Sequence, residues 1–183
     1  MKKTRSTIAL CFLFTIAILI AGYFSFGIWT TLVFMSGFLG GFILWLVMPM
    51  KIAFSQIKAP YWIVLTLFIL HRVEENVFRF QEELAKITGT AVPKLTSIPL
   101  IILVLISVGS WFFIPLLINL KYAFGYYLAW TFFAAMGITE LAHFVFPFFT
   151  NEPYDYFPGM LTVVALAPAA WWGMMRLAKP KSN

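Results

Sequence analysis

Two stretches of this chain place histidine beside glutamate at helical spacing inside otherwise apolar sequence. His71 is followed by Glu74 and Glu75 at i+3 and i+4, and Glu140 is followed by His143 at i+3. On a helix those offsets put the side chains on one face. The chain has no other histidine, so both imidazoles lie next to carboxylates. Mixed histidine and carboxylate donors suit Zn, Fe or Mn, and Glu-x-x-His on bundle helices is the spacing of di-metal carboxylate sites. A full site of that kind uses two such motifs and two further glutamates. Here one motif is inverted and one carboxylate is short, so the economical expectation is a single divalent metal held by His71, Glu75, Glu140 and His143. A bound Zn²⁺ would lower the pKa of its water to about 7, with Glu74 or Glu75 as general base. Two alternatives stand beside this one. A metal-free Glu/His pair could move protons on an apolar substrate, or the groups could form a plain strut between helices.

The elements that must position these residues are membrane helices. Of 183 residues, 62% are hydrophobic and 11% charged, with a mean hydropathy of +0.90. Soluble domains carry about 25% charged residues, so this chain cannot cover a water-facing surface. The composition excludes a soluble globular domain, a disordered tail and a nucleic-acid-binding module. The net charge of +6 then reflects the Lys/Arg bias of cytoplasmic loops and not a nucleic-acid partner. Cys11 is the single cysteine, which leaves no intrachain disulfide and no CxxC metal site.

A span needs about 20 apolar residues. Six are expected, over about 7–25, 28–48, 60–76, 98–118, 122–146 and 158–177, with Pro168 kinking the last. They form one all-α bundle across 1–183, with a short interfacial helix over about 77–87. The first span has a basic flank like a signal peptide, but its length and the lack of a small-x-small cleavage pattern favour an uncleaved anchor. With the N-terminus inside, one side collects Lys2, Lys3, Arg5, Lys51, Lys58, Lys121, Arg176, Lys179 and Lys181, and no acidic residue. Arg72, Arg79, Lys86, Lys94 and every acidic residue fall toward the other. The positive-inside rule gives both termini inside, and the short basic N-terminus suggests a bacterial inner membrane. The His/Glu cluster then lies in the outer half of the bilayer, where ionisable side chains face protein interior or a wet cavity.

Other features read as structure. Ser36, Gly37, Gly40 and Gly41 form a small-residue face for helix packing. Val77, Phe80, Leu84 and Ile87 make the apolar stripe of the interfacial helix, with Glu75/Arg79 and Glu82/Lys86 as i,i+4 pairs. Trp130, Phe132 and Phe133 are candidates to line an apolar substrate pocket, and Tyr156 to cap the site and donate its phenol hydrogen bond.

His71-x-x-Glu74-Glu75, the later His143, and Tyr156-x-Pro158-Gly159, in that order, resemble the HXXEE family of small integral membrane proteins. The family is characterised by an HXXEE motif, a further histidine and a YXPG motif. The resemblance spans about His71 to Gly159 and implies a membrane protein of suspected enzymatic activity, with no reaction named. The expected function is a membrane-embedded enzyme acting on a lipid or other lipophilic substrate. The chemistry would be metal-assisted hydrolysis or oxidation, or Glu/His acid–base catalysis. A proton-coupled or cation transporter is the second expectation and a non-catalytic scaffold the third.

Overall fold

The computed structural model describes residues 2–179, so Lys181, counted above on the inner side, lies outside them. The described residues form helices and no strands: α1 (Arg5–Val47), α2 (Phe54–Val77), α3 (Phe80–Thr88), α4 (Ile98–Val104), α5 (Ile114–Asn119), α6 (Ala123–Gly137) and α7 (Met160–Ala178). α1 and α7 are long and apolar enough to cross a membrane.

Gly27 has φ 77° and ψ −176°, a conformation that only glycine adopts without strain, and it breaks α1 into two arms. The arms fold back on each other as a hairpin. Phe12 meets Phe42 at a ring separation of 5.9 Å, Phe26 meets Phe34 at 6.0 Å, and Lys3 Nζ donates to the carbonyls of Leu46 and Met48. The expected separation of residues 7–25 from 28–48 therefore rests on one backbone angle.

α6 is the centre of the bundle. It is buried along nearly its whole length and apolar on all faces, as an enclosed helix must be. The second arm of α1 lies against it at backbone distance: a Cβ on Gly37 would come within 2.6 Å of Ala135 Cα, and one on Gly41 within 2.6 Å of Thr131 Cα. Gly40 meets nothing within 4 Å, so it is not part of this contact. α7 approaches from the opposite side, with Gly173 set against the Phe133 ring.

Three expected helices differ from what forms. The 98–118 segment is α4, a π-helical turn (Leu105–Gly109), a bend and then α5. Pro115 has no N–H to give to Trp111 four residues earlier, and the Tyr61 hydroxyl fills that place on the Trp111 carbonyl at 3.1 Å. The 122–146 segment stops being α-helical at Gly137, whose carbonyl accepts from Trp171 Nε1 at 2.6 Å. Beyond it run two 3₁₀ segments, Thr139–Phe144 and Phe146–Phe149. α2 starts six residues before Pro60, not at it, and α7 continues through Pro168.

The interfacial helix is α3. It starts at Phe80, because Arg79 takes a left-handed conformation (φ 57°) that separates it from α2. Val77 stays on α2 and exposed, whereas Leu84 is buried. That break also changes the ion pairs: Arg72–Glu75, Arg79–Glu82 and Glu83–Lys86 form at i,i+3 in place of the expected i,i+4 set.

Alanine at Gly37 or Gly41 must push α1 off α6. Each should lower stability in detergent by about 1–3 kcal/mol, whereas Gly40→Ala should be neutral or raise it by up to about 1 kcal/mol. Thermal or denaturant unfolding of the three variants checks the contrast.

Candidate metal centre

α2 brings His71, Glu74 and Glu75 to its C-terminal end, all three buried. Glu140 and His143 come from the first 3₁₀ segment rather than from an α-helix. At three residues per turn, positions i and i+3 eclipse, so Glu140 and His143 stand directly over one another. The spacing serves either helix type, which is why the pair converges although the element differs from the expected one.

Four groups meet. His71 Nε2 lies 3.4 Å from Glu75 Oε1 and 3.2 Å from Glu140 Oε2. His143 Nε2 lies 3.4 Å from Glu75 Oε1 and 3.3 Å from Glu140 Oε2. One donor atom from each residue falls within 4.8 Å of all the others, an arrangement that could hold a metal ion. The four nitrogen–oxygen separations match the edge of about 3.3 Å expected around a tetrahedral ion with bonds of about 2.0–2.1 Å, while the donor set as a whole spreads to 4.8 Å, wider than such an edge.

The outward nitrogens decide what faces inward. His143 Nδ1 donates to the Pro158 carbonyl at 2.5 Å. His71 Nδ1 donates to Thr162 Oγ1 at 2.8 Å, and that hydroxyl donates onward to Glu74 Oε2 at 2.5 Å. With Nδ1 donating outward, a neutral ring presents its Nε2 lone pair to the two carboxylates, whereas a protonated ring donates from Nε2. His71 Nε2 is buried and has no hydrogen-bond partner of proper geometry, while His143 Nε2 is within hydrogen-bond distance of Glu140 Oε2 at 3.3 Å. Two carboxylates converging in a buried site need positive charge at their centre, from a cation between neutral rings or from the imidazoles themselves. Arg72 pairs with Glu75 through Oε2, leaving Oε1 as the oxygen directed at the histidines.

Glu74 is not free to act as a base. Its Oε1 accepts from the Tyr156 hydroxyl (2.6 Å), Gly159 N (3.1 Å) and Leu161 N (3.0 Å); its Oε2 accepts from Thr162 N (2.8 Å) and Thr162 Oγ1. These are the orphan donors of the first turn of α7, and a carboxylate there also meets the positive end of the helix dipole. Tyr156 likewise serves Glu74 and not the cluster. Partial burial, then the Glu74 carboxylate, push its phenol up to about 12, so it stays a donor at neutral pH. Gly159 has φ 100°, and a Cβ there would collide with the rings of His143 and His71. Thr162 and the Pro158 carbonyl escaped the sequence reading, which had no signal for a partner so far along the chain, and Arg72 entered it only as a charge that sets topology.

A cavity of about 380 Å³ adjoins the cluster, with Arg72, Glu75, Glu140 and His143 on its wall. Its apolar lining comes from Phe34, Phe38, Phe68, Leu103, Trp111 and Met136. Trp130, Phe132 and Phe133 do not line it; they are packed in the core of α6. α3 packs over the cluster, with Phe80 lying on the His143 ring at 4.8 Å.

Glu74→Gln replaces an all-acceptor group by one with an NH₂ facing donors, and should destabilise the protein by about 1.5–3 kcal/mol. Tyr156→Phe, which removes one of five donors, should cost about 1 kcal/mol. Unfolding of both variants in detergent tests this ranking.

Neither the curated proteins nor the solved structures contain a match to this chain. A family model described as a protein of unknown function with HXXEE motif matches residues 62–173, which is more than half of the chain. The residues of that motif are ones the fold uses: His71 and Glu75 in the cluster and Glu74 at the start of α7. The chain belongs to the HXXEE family.

Proposed function

We propose that this protein is a membrane-embedded, metal-dependent enzyme acting on a lipophilic substrate. One observation carries the reading: two histidine Nε2 atoms and two carboxylates converge at 3.2–3.4 Å on the wall of an apolar cavity. His71, Glu75, Glu140 and His143 would hold a single divalent ion, Zn²⁺, Fe²⁺ or Mn²⁺ by donor type. When bound, such an ion polarises a substrate oxygen and brings the pKa of a coordinated water to about 7. Hydrolysis is the reaction class this favours.

The protein's own groups have separate tasks in this reading. Arg72 engages Glu75 Oε2 and so limits that carboxylate to one oxygen at the centre. Pro158 and Thr162 fix the two imidazoles in the tautomer that presents Nε2. Phe80 and the cavity walls keep bulk water from the centre, which strengthens every charge interaction inside. Large apolar side chains exposed on α1 and α7, such as Phe24, Leu13 and Leu161, support placement in a bilayer. In this orientation both termini lie on the inner side of a cytoplasmic membrane, with the cluster toward the outer face.

Detergent-purified protein should carry about one equivalent of metal per chain by elemental analysis. His71→Ala and His143→Ala should each lose it while still eluting as folded protein. Metal-free wild type, with both variants equally stable, would overturn the reading. Thr162→Val keeps the backbone bond to Glu74 but removes the hydroxyl that orients His71. It should weaken metal binding about 10–100-fold, measured by competition with a chelator.

A further inference from the structure

The cavity beside the cluster is apolar over most of its wall but carries one guanidinium. Arg72 is the single basic side chain among its lining residues. One of its nitrogens pairs with Glu75 Oε2, and the side chain remains 47% exposed. A guanidinium has five N–H donors, so most of them stay available after that contact. Phe68 lies beneath it, 5.8 Å from the ring centre, and limits how far the group can swing.

Charge bookkeeping around this end of the cavity is short. Glu75 and Glu140 are the only carboxylates on the wall. A divalent cation between them would balance both, and Glu74 is already engaged by five donors at the start of α7. Arg72 then carries the surplus positive charge at the edge of a largely apolar cavity, where it favours an anion. A cationic head would meet a like charge, and a neutral head would leave the guanidinium unmatched.

The remainder of the space suits a hydrocarbon chain. Leu100, Leu103, Val108 and Trp111 line it away from the cluster, where the π-helical turn forms part of the wall. A second cavity, of about 700 Å³, runs between the second arm of α1, α3 and the 3₁₀ segments. Thr30, Val33, Thr139, Ala142 and Phe146 belong to the walls of both. Trp29, Leu32 and Phe149 line the second cavity and are exposed on the surface, so it opens on an apolar outer face. The two cavities are thus separated by a shared wall, and the second opens on the face that a bilayer would cover.

We infer that the ligand of this site is a single-chain anionic amphiphile, its carboxylate or phosphate head on Arg72 and its hydrocarbon chain in the cavity. This rests on the enzymatic reading above and names its substrate class. The head lies next to the proposed ion, so the bond open to attack is one close to the anionic end of the chain.

Binding by the full chain in phosphatidylcholine nanodiscs tests this with palmitate, hexadecyl phosphate and hexadecanol. The acids are expected to bind at least about tenfold more tightly than the alcohol, the scale of one well-placed charged contact. Comparing palmitate with hexadecyl phosphate identifies the preferred head. Arg72→Gln should abolish the preference while leaving hexadecanol binding within about twofold, and Arg72→Lys should keep part of it. Palmitate carrying a diazirine at its chain end should label Leu103, Trp111 or their neighbours in the wild type, whether or not the Arg72 variants fold. Equal binding of acid and alcohol, or labelling confined to bilayer-facing side chains, overturns the inference. A preference that depends on Arg72 in protein that binds no Zn²⁺ supports it, while counting against the metal centre.

Discussion

The Glu74 carboxylate at the start of α7 is the contact on which the geometry of the cluster depends. It gathers donors from Tyr156, Gly159, Leu161 and Thr162, residues more than 80 positions away. One buried anion thereby satisfies a helix terminus that has no side-chain cap of its own. The same contact places Thr162 against His71 and brings the Pro158–Gly159 turn against His143. Both imidazoles are oriented by the chain that Glu74 pins. Remove the pin and the two Nε2 atoms have no reason to face the same point.

The second constraint is the packing of α6. Gly37 and Gly41 let α1 approach it at backbone distance on one side, while Gly173 admits the Phe133 ring of α6 to α7 on the other. The helix is therefore held on both flanks. Its end at Gly137, where the Trp171 indole takes the carbonyl, sets where the 3₁₀ segment begins and so where Glu140 and His143 point. Depth in the core and placement of the cluster are consequences of the same close contacts.

Much of the cluster was legible because ionisable residues are scarce in this sequence. His71, Glu75, Glu140 and His143 stood out by type, and their i+3 and i+4 offsets implied a shared face that the fold supplies. Glu74 stood out equally and was set apart from the ligand Glu75 as a general base or a supporting group, but its partner on α7 was not legible. Adjacent residues point about 100° apart on a helix, and only the tertiary partner tells which direction is the centre and which is α7. Thr162 and Arg72 were not legible as partners, because a threonine in an apolar helix and an arginine near a span end have ordinary explanations. The helix interruptions at Gly137 and after Gly109 escaped hydropathy, which stays high through both. The aromatic run in α6 promised a pocket, but a helix enclosed on every side offers its rings to neighbours and none to a ligand.

The hairpin of α1 has a consequence for how this chain divides its labour. The residues matched to the family begin at 62, and all four convergent groups lie within them. Phe26, Thr30, Val33, Phe34 and Phe38, which wall the adjoining cavity, come from the hairpin that precedes that stretch. One side of the space for a guest is thus written outside the stretch that carries the cluster. A change in the hairpin can reshape that side without touching the four convergent groups.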